Sequence, residues 1–235
     1  MKKNVTELVF ILDRSGSMCG LEADTIGGFN SLIEKQKKEG NEAIVSTILF
    51  DDRQQVLHDR VNIKDVKPIT EKDYYVGGST ALLDAIGGAI HHIGNVHKYA
   101  REEDRPNKTL FVITTDGMEN ASHHYTFERV KEMVGHQKEK YHWEFLFLGA
   151  NIDAIGVAGR FGIKENRAVN YECDGKGIEV SYRALSRAVS HVMMLEDDDY
   201  DDEDDFDGWK EEIEEDYKNH HKSVKGLFGR NKKKS

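Results

Sequence analysis

The stretch Glu7-Leu8-Val9-Phe10-Ile11-Leu12-Asp13-Arg14-Ser15-Gly16-Ser17 passes from an unbroken apolar run straight into a polar turn. A short apolar run closed by a turn signal reads as a strand buried on both faces. Similar runs recur at residues 44–50, 109–115 and 144–148. Between them lie segments of helical spacing. One carries Ile26, Phe29, Leu32 and Ile33 and ends at Gly40; a second carries Leu82, Leu83, Ile86, Ile90, Ile93 and Val96. A third, with Phe127, Val130, Met133 and Val134, follows Thr126 as N-cap, and a fourth carries Val180, Ala184, Leu185, Ala188, Val189 and Val192. Buried strands alternating with amphipathic helices predict a doubly wound α/β fold, a mostly parallel sheet with helices on both faces. Residues 54–61 read as a short edge strand, 168–171 as another short strand, and 62–78 as loop with at most a short helix.

Composition bounds the rest. With 38% hydrophobic residues in 235, the chain can bury a core. The two cysteines, Cys19 and Cys173, form no C-x-x-C pair, which suits a reducing compartment. Met1-Lys2-Lys3 is basic, but Asp13-Arg14 cuts the following apolar run too short for a signal peptide. No stretch reaches the ~18 apolar residues of a spanning helix. The expectation is a soluble, cytoplasmic protein with no transmembrane segment.

The net charge of −10 is unevenly spread: residues 196–216 hold fifteen Asp/Glu against one Lys, and 217–235 hold seven Lys/Arg and no acid. We therefore expect one domain over residues 1–195 and a disordered acidic-then-basic tail over 196–235, with a helix around 209–217.

In open α/β sheets, ligands bind at the carboxyl ends of the strands. Three polar segments should meet there: Asp13-Arg14-Ser15-Gly16-Ser17, the loop Gly77-Gly78-Ser79-Thr80, and Asp116-Gly117. They supply two carboxylates and several hydroxyls, an all-oxygen set suited to a hard cation such as Mg²⁺ and unsuited to soft metals. With two carboxylates and one dication the site is near neutral, so a further anionic ligand is tolerated.

Asp13-x-Ser15-x-Ser17, Thr80 in a Gly-rich loop, and Asp116-Gly117 after a hydrophobic strand resemble the metal-ion-dependent adhesion site of von Willebrand factor type A domains, specifically the intracellular, bacterial type. The resemblance spans roughly residues 5–195. It implies that Ser15 and Ser17 ligate the metal directly and that Thr80 does so directly or through water. Asp13 and Asp116 would ligate it or hold its waters. It implies Mg²⁺, with Mn²⁺ or Ca²⁺ as alternatives, and an open position for an Asp or Glu of a protein partner. Arg14 and Met18 are variable positions in the pattern, expected to shape the rim together with 149–153.

The implied function is a divalent-metal-dependent adaptor or assembly module, not an enzyme. The alternatives are a Mg²⁺-dependent phosphoester hydrolase and a regulatory subunit whose site is filled by its own acidic tail. A dehalogenase-type phosphohydrolase needs a second Asp where Ser15 stands, so its proton donor is missing. No G-x-S-x-G, Walker A, H-E-x-x-H or G-x-G-x-x-G occurs. His91-His92, His123-His124 and His220-His221 read as exposed polar residues, and Cys19 as a small, partly buried one. Glu203-x-Asp205-x-Asp207-Gly208 with Glu214 has the spacing of a calcium-binding EF-hand loop. In so acidic a stretch that match arises easily, and Lys210 occupies an apolar position of the pattern. The basic end lacks an aromatic platform or fold motif for nucleic acid.

Overall fold

Along β1 (Thr6–Asp13), Leu8, Phe10 and Leu12 point into one hydrophobic layer and Val9 and Ile11 into the other, all of them fully buried. Both faces of the strand are covered, as its continuous apolar sequence requires. The computed structural model describes residues 5–195 and 208–230, with side chains as far as Lys222. Among these, six strands form one sheet in the order β3-β2-β1-β4-β5-β6. The others are β2 (Ala43–Phe50), β3 (Gln54–Asn62), β4 (Lys108–Thr115), β5 (Glu144–Gly149) and β6 (Ala168–Asn170). All pairings are parallel except β2 with β3. Chain order runs outward from β1 in one direction and then from β4 in the other. The gap between their carboxyl ends is therefore the topological switch point.

Helices α1 (Glu22–Glu39) and α5 (Gly175–Met194) cover one face; α2 (Leu82–Tyr99), α3 (Phe127–Tyr141) and α4 (Ala154–Arg160) cover the other. The expected helix signals work as read. Gly40 ends α1 at φ 77°, and the Thr126 hydroxyl accepts from Arg129 N at 3.2 Å at the start of α3. Helix α4 has no amphipathic signature in the sequence, because its seven residues include two glycines. Residues 62–78 hold the short 3-10 segment Ile63–Asp65 and a hydrogen-bonded turn in which Asp73 N and Tyr74 N donate to Thr70 O. They are nonetheless firmly placed, since Ile63, Val66, Ile69 and Tyr74 are buried.

The packed fold reaches past Leu195. Residues 196–207 and 231–235 lie outside the described residues, but the helix expected around 209–217 is present as α6 (Glu211–Arg230). Its Ile213 is 1% exposed and joins, with Trp209, the core formed by α1 and α5. Trp209 Nε1 donates to Asn166 O at 2.9 Å, and Lys210 Nζ caps the edge strand at Ala168 O, 3.1 Å away. Glu212 pairs with Arg183 and Arg187, and Asp216 with Lys176, so acids of α6 meet bases of α5. Charge made this segment look unpackable; two apolar residues at the right spacing, and an oppositely charged helix to receive the acids, make it pack. Of the EF-hand pattern, residues 203–207 are outside the described residues, and Glu214 is engaged by Lys210 (3.3 Å) and Lys218 (3.1 Å).

Trp209→Ala should cost about 3 kcal/mol of stability, as expected for truncating a largely buried aromatic. A chain ending at Leu195 should lose more, because Ile213 leaves with it. Urea unfolding monitored by circular dichroism measures both; a truncated chain as stable as the full one would show that α6 adds nothing to the fold.

Candidate metal centre

The pairing of β1 with β4 places Asp13 beside Thr115, at the ends of two adjacent strands. Thr115 Oγ1 donates to Asp13 Oδ2 at 2.5 Å, and the Ser15 backbone N–H donates to Asp13 Oδ1 at 2.7 Å. The chain then turns through the 3-10 segment Gly16–Met18. Ser15 Oγ lies 3.1 Å from Ser17 Oγ, and Ser17 Oγ donates to Asp116 Oδ1 at 2.6 Å. Thr80 closes the ring: a Cβ built on Gly117 would lie 3.2 Å from Thr80 Oγ1 and 3.4 Å from Ser17 Oγ. The five residues expected to converge do converge. Asp13, Ser15, Thr80 and Asp116 are almost wholly buried, and Ser17 is the exposed member.

The surrounding loops are cross-braced. Gly16 N donates to Gly78 O at 3.1 Å, and Gly77 N to Arg14 O at 3.0 Å. Gly78 must be glycine: its φ is 72°, and a Cβ there would sit 2.4 Å from Asp52 Oδ1. Thr80 N donates to Asn120 Oδ1 at 2.9 Å, while Asn120 N returns to Thr80 O at 3.0 Å. Glu119 accepts from Leu83 N at 2.8 Å and from Ser122 N at 2.8 Å, tying the loop after Asp116 to the N-terminus of α2. A site held this way is pre-organised and needs no large rearrangement to accept a ligand.

Electrostatics show what the centre lacks. Burial raises the Asp13 carboxyl above its ordinary range, against hydrogen bonds from Thr115 and Ser15 that pull it down; nearby Asp116 raises it further. Burial raises Asp116 as well, opposed by the Ser17 and Cys173 donors. Among the described residues no Lys or Arg forms an ion pair with either carboxylate. Two buried carboxylates that repel one another, ringed by hydroxyls, form a donor set that fits a hard dication. No cluster of three or more His, Cys, Asp or Glu suited to a metal occurs among the described residues, so a soft-metal site of that kind is absent from them.

Several expectations about the surroundings change. Arg14 is 4% exposed: it pairs with Asp51 at 2.9 Å, donates to Gln55 at 2.6 Å and lies 4.6 Å from the Tyr75 ring centroid. Met18 is in the core, because the turn after Ser15 swings it inward toward α5. The exposed rim residues are instead Tyr75 and Met118. Cys19 is exposed, not partly buried. His123 and His124 use their backbone N–H groups to bind Asp84, each at 2.9 Å, and are themselves exposed. Of 149–153, Asn151 and Asp153 are exposed at the same edge.

Three further residues belong to the centre. Thr115 ends a buried strand, and its place beside Asp116 is its one signal in the sequence. Tyr74, whose hydroxyl donates to Asp13 O, and Cys173, whose Sγ is 3.6 Å from Asp116 Oδ2, sit far away in sequence and left none. Burial and the neighbouring Asp116 push the Cys173 thiol up to about 11.

Comparison with known proteins gives the fold an independent anchor. No family model and no curated protein matches this chain. Solved structures do. The vWF domain of the type V pili tip protein Mfa5 from Porphyromonas gingivalis superposes with TM-score 0.56 at 8% identity, covering 81% of this chain and 97% of that one. The fold is that of a von Willebrand factor type A domain. The PilB minor pilin from Streptococcus sanguinis gives TM-score 0.54 at 11% identity, covering 80% of this chain and 62% of that one. Proximal thread matrix protein 1 from the mussel byssus, in a structure with a zinc-occupied MIDAS motif, gives 0.53 at 12%, covering 78% and 45%. This chain thus spans less than two thirds of the length of the last two.

If this centre is built for a cation, removing one buried charge should help the empty fold and disable the filled one. Asp13→Asn keeps both hydrogen bonds, since the Thr115 hydroxyl can turn toward Gly117 O, 3.2 Å away. In EDTA the variant should melt no lower than the wild type. With Mg²⁺ the wild type should gain thermal stability, by about 2.7 kcal/mol at a hundred times the dissociation constant, and the variant should gain none. Differential scanning calorimetry reads all four conditions; an equal Mg²⁺ shift in both proteins would refute the assignment.

Proposed function

We propose that this chain is a divalent-metal-dependent protein-binding module, an adaptor or assembly factor that captures a partner's Asp or Glu side chain. The observation that carries the reading is the convergence of Asp13, Ser15, Ser17, Thr80 and Asp116 in one cross-braced centre whose exposed member is Ser17. Mg²⁺ is the proposed metal, with Mn²⁺ and Ca²⁺ as alternatives, because the donors are all hard oxygens and only two are charged. A dication held by these residues would supply the positive charge that an incoming carboxylate needs. The residues of the chain fix the geometry: Asp13 and Asp116 supply charge, and the serine and threonine hydroxyls complete the ring. Proteins of this fold named above belong to pili and to byssal threads, which agrees with a binding role. An intracellular setting is part of this proposal; the free thiols of Cys19 and Cys173 suit a reducing compartment.

The hydrolase reading has less to stand on. Ser15 occupies the place of the second Asp, and the His123 and His124 rings are not hydrogen-bonded to the centre. Self-occupancy by the acidic tail meets a geometric obstacle. Leu195 O accepts from Lys108 Nζ at the start of β4, and Trp209 is bonded to Asn166 just before β6. Both anchors lie at the amino edge of the sheet. The twelve intervening residues extend at most about 40 Å, so out and back they reach roughly 20 Å. The eight-residue strand β4 alone is about 26 Å long, and the metal centre lies beyond its far end.

Affinity capture from native lysate by the wild type in Mg²⁺ should yield proteins that are lost in EDTA and with Asp13→Ala/Asp116→Ala. Recovery of the same proteins by the double variant would place binding elsewhere. Mg²⁺-dependent turnover of a generic phosphoester, abolished by Asp13→Ala, would favour the hydrolase.

A further inference from the structure

On the face covered by α2 and α3, a groove of about 650 Å³ runs between these two helices to the amino edge of the sheet. Its floor includes Trp143, 3% exposed and stacked on Phe111 with ring centroids 5.2 Å apart, and Thr109. Its walls carry three Lys/Arg, namely Lys98, Arg105 and Arg129, and three histidines, against the single acid Glu132. Arg129 pairs with Glu132 at 3.1 Å. Lys98 lies 5.2 Å from the Tyr99 ring centroid and Arg105 Nε donates to Ala100 O at 3.2 Å; neither forms an ion pair among the described residues. Helix ends account for part of this charge: His97 and Lys98 stand in the last turn of α2, where a cation offsets the carbonyl dipoles. Arg105 and Arg129 stand in no helix's last turn, so the groove holds cationic charge that the helices do not need.

A segment of the chain with the opposite charge begins next to this groove. Residues 196–207 contain ten Asp/Glu, no Lys or Arg, and the two aromatics Tyr200 and Phe206. The preceding residue, Leu195, is held through its carbonyl by Lys108 Nζ. Lys108 stands between Asn107 and Thr109, both of which line the groove. Strand alternation sends Lys108 toward α5 and Thr109 toward α2 and α3, so the passage from one face to the other is one sheet wide, about 10 Å. Some 40 Å of chain is enough to pass under the amino edge, enter the groove and return to Trp209 beside Asn166.

We propose that the acidic run 196–207 docks in the basic groove between α2 and α3 of its own domain. Carboxylates meet Lys98 and Arg105 at the amino-edge mouth of the groove, and an aromatic side chain covers the apolar floor. Docking holds the chain's own carboxylates at the pole opposite the metal centre.

Zero-length carbodiimide cross-linking of the full chain, at low protein concentration and low salt, tests this by peptide mass spectrometry. The expected product joins Lys98 to a carboxylate of 196–207, and falls at least fivefold in 1 M NaCl and in Arg105→Glu. The Arg105 side chain is exposed, so the charge reversal leaves the fold intact, as circular dichroism would verify. Cross-links from the run only to Lys210, Lys218 or Lys222 of α6 would overturn the proposal, as would purely intermolecular ones, which assign the run to a second copy. A labelled peptide of residues 196–207, titrated into a full chain whose own run carries Asn and Gln for Asp and Glu, should bind at least tenfold more weakly to a Lys98→Glu/Arg105→Glu version. Unchanged affinity would also overturn it.

Discussion

Two carboxylates, Asp13 and Asp116, are withdrawn from water at the ends of adjacent parallel strands, and much of the carboxyl edge is organised around them. A buried carboxylate without a cationic partner is costly unless hydrogen bonds or a bound cation compensate it. Here Thr115 and the Ser15 amide address Asp13, and Ser17 and Cys173 address Asp116. These contacts lessen the burial cost without cancelling it, since both carboxyls remain raised above their usual range. The residual imbalance is what a dication would relieve. Its place between β1 and β4 follows from the strand order, because only at the switch point do the connecting loops diverge and leave room.

The molecule is polarised along its strands. The carboxyl edge holds hard oxygen donors, exposed Tyr75 and Met118, and braced loops. The amino edge holds the tether points of the acidic run and the mouth of a cationic groove. Helix α6 links the two, starting beside Asn166 and Ala168 and climbing along α5 until His220 and His221 come within 3.8 Å of Glu172 or Asp174, on either side of Cys173. A tail that reads as one charged stretch is thus divided into a run anchored at one pole and a helix that belongs to the body of the domain.

Long-period features were legible in the sequence because they depend on local chemistry. The apolar run ending at Asp13, the glycine that stops α1 and the Thr126 cap each state their structure within a few residues. The convergence of the candidate metal residues was legible for a related reason: carboxylates and hydroxyls that recur at three strand and loop ends meet at one edge of an open parallel sheet. Features that rest on contacts between distant segments were not. Arg14 looked like a rim residue until Asp51, Gln55 and Tyr75 enclosed it. Tyr74 and Cys173 gave no hint of approaching Asp13 and Asp116, from which they lie about sixty residues away in sequence.

The sequence by itself determined the alternation of buried strands and amphipathic helices, the oxygen-only donor set, and the segregation of charge into the tail. Periodicity, residue chemistry and net charge are properties of the chain before it folds. Tertiary structure alone decided which hydroxyls close around which carboxylate, which rim side chains remain exposed, and that Trp209 and Ile213 belong to the core. Those outcomes depend on strand order and on layer packing across the sheet, where residues a hundred positions apart become neighbours and compete for the same buried space.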